Sequence, residues 1–368
     1  MRLGIFMMPV HPPGRSFTDT LAEDTEKALF ADRLGFSELW LGEHFSATSE
    51  PIPSPLMFMA NLMWRTKLRF GTGVICIPNH DPIVVAAEAA QFDHMSRGRL
   101  MLGVGPGGLL CDFELFKNYD PAARNRKVVE AIDIMQRIWS QDPPYDINGE
   151  FWSVQLKNAI VPEMGLGYMP KPFQKGGPPI SISVASPNSS TARTAAMKGW
   201  GILTANIAPT YVVGTHWAAF SEACRKLGKT PSGEYWRVSR NIMVAPSDAE
   251  AEERVFGKRG STLYFFTYIR RALSSGGLLS MLKIRPDMAE DQVTVEAVTK
   301  DCVLYGSPAS VLDKLVAFRE KVGPFGTLLM TGLDWDGPNE AWERQSMQLL
   351  ADKVMPKFRQ HILAEAAD

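Results

Sequence analysis

Residues 68–104, LRFGTGVICIPNHDPIVVAAEAAQFDHMSRGRLMLGV, contain a complete strand–helix–strand unit. Residues 68–77 form a nearly continuous apolar run, as expected of a parallel strand that is covered on both faces. Asp81 and Pro82 then supply an N-cap and a proline at the first helical position, and Gly98 ends the predicted helix. A second apolar run follows over residues 99–104. The stretch therefore predicts two parallel strands joined by a helix.

The same alternation runs through the whole chain. Eight apolar runs are separated by helical patterns, and they occupy residues 3–10, 38–44, 68–77, 99–104, 179–185, 201–206, 238–245 and 326–331. Eight such units predict an α/β fold, a closed (β/α)8 TIM barrel with insertions, formed by a single domain over residues 1–368. An open, doubly wound sheet is the alternative.

Two segments are longer than the connections that a basic barrel needs. Residues 143–177 are rich in proline, glycine and isolated aromatic residues, which predicts a hairpin or another ordered excursion before the fifth strand. Residues 257–300 separate the seventh strand from its helix. Because long insertions in compact domains are often functional, we expect a lid over the barrel mouth, with a merely decorative insertion as the alternative.

Composition excludes several classes of protein. Among 368 residues, 39 Lys and Arg balance 40 Asp and Glu, so the net charge of −1 gives no sign of binding to nucleic acid or to an anionic membrane. No apolar stretch approaches the ~20 residues that span a bilayer, and the N-terminus resembles no export signal, so we expect a soluble cytoplasmic protein. The four cysteines form no CxxC pair and the histidines no HxxxH spacing. Neither pattern supports a metal site.

His44 is the strongest candidate for acid–base chemistry. It ends the second predicted strand next to Glu43, and the carboxyl ends of barrel strands are where catalytic groups collect. A structural histidine is the alternative. The glycine-rich turn of residues 103–108 makes a poor dinucleotide fingerprint, because Pro106 interrupts it and no helix opens at its last glycine. Gly105 and Gly107 instead predict a tight loop in which the backbone can approach a ligand closely.

A phosphate site is predicted where the fifth strand ends. Ser186, Asn188, Ser189 and Ser190 precede a helical pattern, so hydroxyls, an amide and free backbone N–H groups would meet at a helix N-terminus. Simple helix capping is the alternative. Three further residues, Met8, Met57 and Phe58, lie near predicted strand ends and are candidates for lining a substrate pocket, although core packing would also explain them.

Taken in order, several segments resemble the bacterial luciferase-like flavin monooxygenases. They are LWLGEH at residues 39–44, LRFGTGV at 68–74, PIVVAAE at 82–88, FDHMSRGRL at 92–100 and GVG at 103–105. Within that family the chain is closer to limonene hydroxylases and diketocamphane monooxygenases, because the segment SPNS at residues 186–189 resembles their phosphate segment.

The resemblance implies reduced FMN, supplied by a separate flavin reductase, with O2 as co-substrate. It implies that His44, with Glu43 as its neighbour, assists formation and protection of the flavin hydroperoxide. Thr72, Gly73 and Val74 match the segment that lies against the isoalloxazine ring, and several family members carry a non-proline cis peptide bond there, which we expect between Gly73 and Val74.

Two departures from the luciferase pattern refine these expectations. Phe45 stands where luciferase catalytic subunits have a second histidine, which argues against light emission. The loop of residues 106–109 lacks the arginine that holds the flavin phosphate in luciferases. The phosphate would then rest on the turn of residues 186–190, with Arg193 nearby.

The expected function is insertion of one oxygen atom into a hydrophobic small molecule, with a terpenoid or cyclic ketone favoured. The alternatives are a deazaflavin-dependent hydride-transfer oxidoreductase and a non-catalytic flavin-binding partner subunit. The family's dimers also imply a homodimer that packs through residues 55–63 and 82–95.

Overall fold

The computed structural model describes residues 1–365, which form twelve β-strands and thirteen α-helices. The strands are β1 Arg2–Met7, β2 Glu38–Leu41, β3 Arg69–Thr72, β4 Ile75–Cys76, β5 Leu100–Gly105, β6 Tyr145–Asn148, β7 Ser153–Leu156, β8 Ile180–Val184, β9 Gly201–Thr204, β10 Trp236–Val244, β11 Val303–Gly306 and β12 Thr327–Gly332. The helices are α1 Phe17–Arg33, α2 Pro55–Leu62, α3 Pro82–Met95, α4 Leu110–Leu115, α5 Pro121–Ser140, α6 Ser190–Lys198, α7 Thr210–Lys226, α8 Asp248–Phe256, α9 Ser261–Ser275, α10 Val295–Cys302, α11 Pro308–Val322, α12 Asn339–Leu349 and α13 Met355–Glu365.

Eight parallel strands close into a barrel. Their order is β1, β2, β3, β5, β8, β9, β10 and β12, and β12 pairs with β1 to complete the ring. The predicted TIM barrel is therefore confirmed, and the open-sheet alternative is wrong. Each of the eight predicted apolar runs overlaps one barrel strand, and β1, β5, β10 and β12 each extend one or two residues beyond their runs at one end. The sequence pattern missed β11, a short strand that pairs with the far half of β10, from Asn241 to Val244.

Below the mouth, the barrel interior is filled by the indole of Trp40 and by the buried ion pair between Glu38 and Arg237. The indole N–H of Trp40 donates to Glu38 at 2.8 Å, and Arg237 Nε donates to the same carboxylate oxygen at 2.9 Å. Burial would raise the pKa of Glu38, but Arg237 outweighs it and lowers that pKa. The carboxylate is thus held ionised. Because Glu38, Trp40 and Arg237 are all buried, side chains fill the barrel interior at this level.

The two inserted segments are both ordered. Residues 143–177 contain the antiparallel hairpin of β6 and β7. Residues 257–300 contain α9 and most of α10, and they build a second apolar cluster in which Phe265 and Phe266 pack with Val10 and Leu333. Because Val10 follows β1 and Leu333 follows β12, α9 lies over the C-terminal side of the barrel. None of the helices formed by residues 1–365 combines the length and apolar composition needed to cross a bilayer.

A buried charged cluster joins the loops after β1 and β12 to α1. His11 Nδ1 lies 2.6 Å from Asp334 Oδ1, and His11 Nε2 lies 3.2 Å from Asp24 Oδ2. Lys27 and Arg15 complete the cluster through ion pairs with the same two aspartates. Burial opposes protonation of His11, but its hydrogen bonds to the two carboxylates prevail and raise the pKa of His11 to about 9. The folded chain therefore keeps this imidazole charged at neutral pH.

This cluster predicts that stability falls as the pH rises from about 6.5 to 9. Below the pKa of the unfolded chain, His11 is protonated in both states and its contribution is complete. Between the two pKa values only the folded chain binds the proton, so the contribution is lost progressively. Urea titrations should show the free energy of unfolding of the native chain falling, relative to His11→Gln, by roughly 1–3 kcal/mol over this range. A difference between the two proteins that does not change with pH would contradict the assignment.

Candidate active site

His44 lies between two carboxylates at the barrel mouth. It lies three residues beyond the end of β2, and its imidazole is largely buried, with Nδ1 3.3 Å from Asp112 Oδ2 and Nε2 3.4 Å from Glu50 Oε2. Burial alone would lower the pKa of His44, but the carboxylates of Glu50 and Asp112 outweigh it and raise that pKa. The site therefore favours an imidazolium, which can hold or deliver a proton at Nε2.

Asp112, on α4, organises the loop that carries His44. Its carboxylate accepts hydrogen bonds from the backbone N–H groups of Phe45 and Ser46, at 3.3 and 2.9 Å, and from the Ser46 hydroxyl. Burial would raise the pKa of Asp112, but the hydrogen bonds from His44 and Ser46 lower it. Sequence reasoning missed this residue. The available signal was an acidic side chain in the loop after the fourth barrel strand, at the same mouth as His44.

Glu43, the neighbour of His44 in sequence, makes its own hydrogen bonds to Cys76 and His80. Its carboxylate accepts from the backbone N–H of Cys76 at 3.0 Å and lies 3.0 Å from His80 Nε2 through each oxygen. Glu43 therefore fixes β4 against the loop after β2. Its hydrogen bonds go to this strand and to His80, while the direct partners of His44 are Asp112 and Glu50.

The segment predicted to face the flavin ring lies between β3 and β4. The Thr72 hydroxyl donates to the Gly103 carbonyl at 2.6 Å and accepts from the Gly103 N–H at 2.8 Å, so it is committed to β5. The predicted cis peptide bond between Gly73 and Val74 is confirmed. Val74 packs beside the interior cluster of the barrel. Gly73 and Val74 therefore present backbone and an apolar side chain at the mouth, whereas Thr72 holds two strands together.

Gly105 and Gly107 shape the mouth beside this segment. A Cβ atom on Gly105 would lie 2.8 Å from Val74 Cγ2 and would overlap the Ser183 hydroxyl. Gly107 has φ of +80°, a conformation that favours glycine, and a Cβ there would lie 3.2 Å from the Phe113 ring. A larger residue at Gly105 or Gly107 would therefore require neighbouring side chains to shift, and at Gly107 it would also strain the backbone.

The predicted phosphate turn precedes α6 as expected. Ser189 is buried, and its hydroxyl accepts from the Thr191 N–H at 3.2 Å, so it caps the helix. Asn188 has a left-handed backbone with φ of +53°; its N–H donates to Thr215 Oγ1, and its carbonyl accepts from Arg193 Nη1 at 3.1 Å. The side chains of Ser186, Asn188 and Ser190 are exposed. The residue that caps α6 is thus distinct from the three residues of the turn whose side chains are exposed.

His216 is a supporting residue that the sequence did not reveal. Its Nε2 lies 3.0 Å from the Ser186 carbonyl, and its Nδ1 lies 3.1 Å from Thr204 Oγ1. Burial lowers the pKa of His216 to about 4. The ring is therefore neutral at physiological pH and anchors the turn without adding charge.

The candidate substrate residues do not all come together. Met8 lines a small cavity together with Pro9, Gly42, His44, Glu50 and Ile52. Met57 is 76% exposed on α2, and Phe58 packs against the layer between the barrel and its helices. Because α2 lies outside the barrel wall, the structure places only Met8 beside His44.

The chemistry of this mouth suits a flavin mononucleotide. Exposed hydroxyls at the start of α6, with the Arg193 guanidinium close by, provide the hydrogen-bond donors and positive potential that a phosphate monoester needs. The absence of side chains at Gly73, Gly105 and Gly107 would let the backbone approach a ring closely, with the apolar side chain of Val74 beside it. His44 adds a proton-bearing group at the same edge.

Comparison with known proteins agrees with this geometry. Residues 1–324 match the family described as luciferase-like monooxygenase. The 4-hydroxyprotoasukamycin monooxygenase of Streptomyces nodosus subsp. asukaensis is 30% identical over 96% of this chain and 91% of its own length. Limonene 1,2-monooxygenase of Rhodococcus erythropolis is 29% identical over 96% and 86%.

A solved structure extends the likeness to three dimensions. It is the oxygenating constituent of 3,6-diketocamphane monooxygenase from Pseudomonas putida, a type II Baeyer–Villiger monooxygenase in complex with FMN. It superposes with a TM-score of 0.84 at 26% identity and covers 97% of this chain and 98% of its own. The resemblance inferred from sequence, to limonene and diketocamphane enzymes, is confirmed.

Proposed function

The chain belongs to the luciferase-like monooxygenase family, and we propose that it uses reduced FMN and O2 to insert one oxygen atom into a hydrophobic small molecule. One observation carries the proposal: His44 is held between Asp112 and Glu50 at the mouth of a barrel whose fold matches an FMN-bound monooxygenase. The arrangement provides a proton-bearing group at the edge where a flavin ring would lie. We also propose that the enzyme works in the cytoplasm.

When bound, reduced FMN would react with O2. The chain would position the flavin and the substrate, exclude water and provide a proton. Ser186, Asn188 and Ser190 would hold the phosphate at the start of α6. Gly73 and Val74 would lie against the ring, with Gly105 and Gly107 beside them. His44 would hold a proton at Nε2, and Glu43 would keep β4 in place.

Apart from His44 and Glu50, the wall of the small cavity is apolar, which favours a substrate with few polar groups. Met8 and Ile52 line the cavity beside His44, and α9 covers this side of the barrel. Such a wall excludes water from the reacting centre. A terpenoid or cyclic ketone is the substrate class that we propose, supported by the limonene and diketocamphane relatives. Residues 257–300 would act as the lid.

A two-component assay tests this function. The purified chain, a separate flavin reductase, FMN and 18O2 are incubated with a panel of monoterpenes and cyclic ketones, and products are analysed by mass spectrometry. We expect one 18O atom in the product of at least one substrate, dependent on both proteins. Oxidation of reduced FMN without labelled product across the panel would contradict the proposed function.

We also propose a homodimer that packs through α2 and α3. Three large apolar side chains are exposed on these two helices and just after α2: Met57 at 76%, Trp64 at 70% and Val84 at 53%. Neighbouring exposed apolar residues of this size mark interaction surfaces more often than scattered ones do. A flavin reductase would be a separate, transient partner.

Val84→Glu should convert this dimer to a monomer. The new carboxylate would have to be desolvated in an apolar interface, which costs several kcal/mol. Size-exclusion chromatography with light scattering should give twice the chain mass for the native protein and one chain mass for the variant. Leu363→Glu, at a 70% exposed position on α13, is the control and should remain dimeric. A monomeric native protein would refute the interface.

A further inference from the structure

We propose that Tyr268, a residue of the inserted segment 257–300, is a positioning residue for His44 and acts through Glu50. The Tyr268 hydroxyl donates to Glu50 Oε1 at 2.8 Å, and the other oxygen of that carboxylate lies 3.4 Å from His44 Nε2. A continuous chain of contacts thus joins α9 to the end of β2. The inference rests on the proposed function for the reaction that His44 serves.

The direction of hydrogen bonding is fixed at Tyr268. Ser49 Oγ donates to the Tyr268 hydroxyl oxygen at 3.3 Å, which leaves the phenolic hydrogen for Glu50. Burial raises the pKa of Tyr268, so the phenol stays protonated and remains a donor. Glu50 is therefore the acceptor, and its ionised form is the one that Tyr268 stabilises.

Glu50 needs this donor because it is buried. Its Oε2 atom has no hydrogen-bond partner among the described residues, and desolvation raises the pKa of Glu50. The charge of His44 and the hydrogen bond from Tyr268 act in the opposite direction. Without the phenol, Glu50 would take up a proton more readily. His44 would then lose one of its two flanking negative charges.

The groups that face His44 are acidic. Glu43 and Glu50 lie on the loop after β2 and Asp112 lies on α4, while Cys111 adjoins Tyr268 beyond Glu50. All three carboxylates favour the protonated imidazole. Because Tyr268 comes from α9, the proton affinity of His44 is linked to the docking of the inserted segment. By reciprocity, protonation of His44 stabilises that docked position.

Tyr268→Phe tests the inference directly. The pKa of His44 is measured by NMR of the flavin-free chain with labelled histidine, and its signals are assigned by their loss in His44→Gln. We expect the pKa of His44 to fall by about 0.5–1 unit in Tyr268→Phe, a threefold to tenfold loss of proton affinity. Glu50→Gln should lower it at least as far.

Tyr264→Phe is the matched control, because it removes the same atom from the same helix. The Tyr264 hydroxyl makes no hydrogen bond to any other group within residues 1–365. An unchanged pKa of His44 in Tyr268→Phe, or an equal fall in Tyr264→Phe, would overturn the inference. In the two-component assay, the pH midpoint of product yield per reduced FMN should move with the pKa of His44, and a fixed midpoint would also overturn the inference.

The NMR result and the proposed function can fail separately. If the pKa of His44 falls as expected but no substrate of the panel is oxygenated, the positioning role stands and the proposed function fails. If oxygenation proceeds while the pKa stays constant, the positioning role fails and the proposed function stands.

Discussion

His44→Gln should reduce the product formed per reduced FMN consumed by roughly 10²-fold or more, the usual contribution of a positioned acid–base group. Glutamine keeps a hydrogen-bonding side chain between Asp112 and Glu50 but cannot carry a proton to a reacting group. Consumption of reduced FMN and O2 should continue, so the loss should appear as uncoupled oxidation. The measurement compares product, from mass spectrometry, with O2 consumed in the same reaction.

The control for this experiment is His94→Gln. His94 lies on α3, outside the barrel, where its Nε2 is 3.0 Å from the Lys171 carbonyl. We expect native coupling in this variant. Native coupling in His44→Gln, with folding confirmed by circular dichroism, would show that His44 is structural and would remove the acid–base role from the proposed function.

Ser190→Asp should weaken FMN binding by roughly 10- to 100-fold. Ser190 is exposed at the first position of α6, where an added carboxylate would face the phosphate dianion across a few ångströms of partly solvated space. The same carboxylate interacts favourably with the N-terminus of α6, so the variant should fold at least as well as the native chain. Binding is followed by flavin fluorescence.

Riboflavin and a neutral variant separate charge from shape. Riboflavin lacks the phosphate, so its affinity should be the same for the native chain and for Ser190→Asp. Ser190→Asn keeps a polar, uncharged side chain and should retain FMN affinity within about threefold. Unchanged FMN affinity in Ser190→Asp would mean that the phosphate does not lie at α6, and the proposed binding mode would have to be abandoned.

Local patterns along the chain were sufficient to predict the barrel and much of its mouth. Apolar runs that alternate with helical segments predict parallel strands covered by helices, and all eight barrel strands overlap predicted runs, with no strand extending more than two residues beyond its run. The four-residue strand β11 was missed, since its apolar stretch is too short to distinguish from the end of α10. Local sequence patterns therefore predict a strand correctly where its apolar run is long.

The surroundings of His44 were beyond any local pattern. Asp112 is 68 positions from His44, and Tyr268 is 218 positions from Glu50. The sequence determined that His44 lies at the carboxyl side of a barrel strand, although β2 ends three residues earlier at Leu41, and that a polar turn precedes α6. Both follow from strand alternation and helix capping, which are properties of neighbouring residues. Tertiary structure alone decided that Glu43 turns to β4 while Asp112 and Glu50 flank the imidazole, because the charge on a buried side chain depends on whichever groups the folded chain brings within a few ångströms.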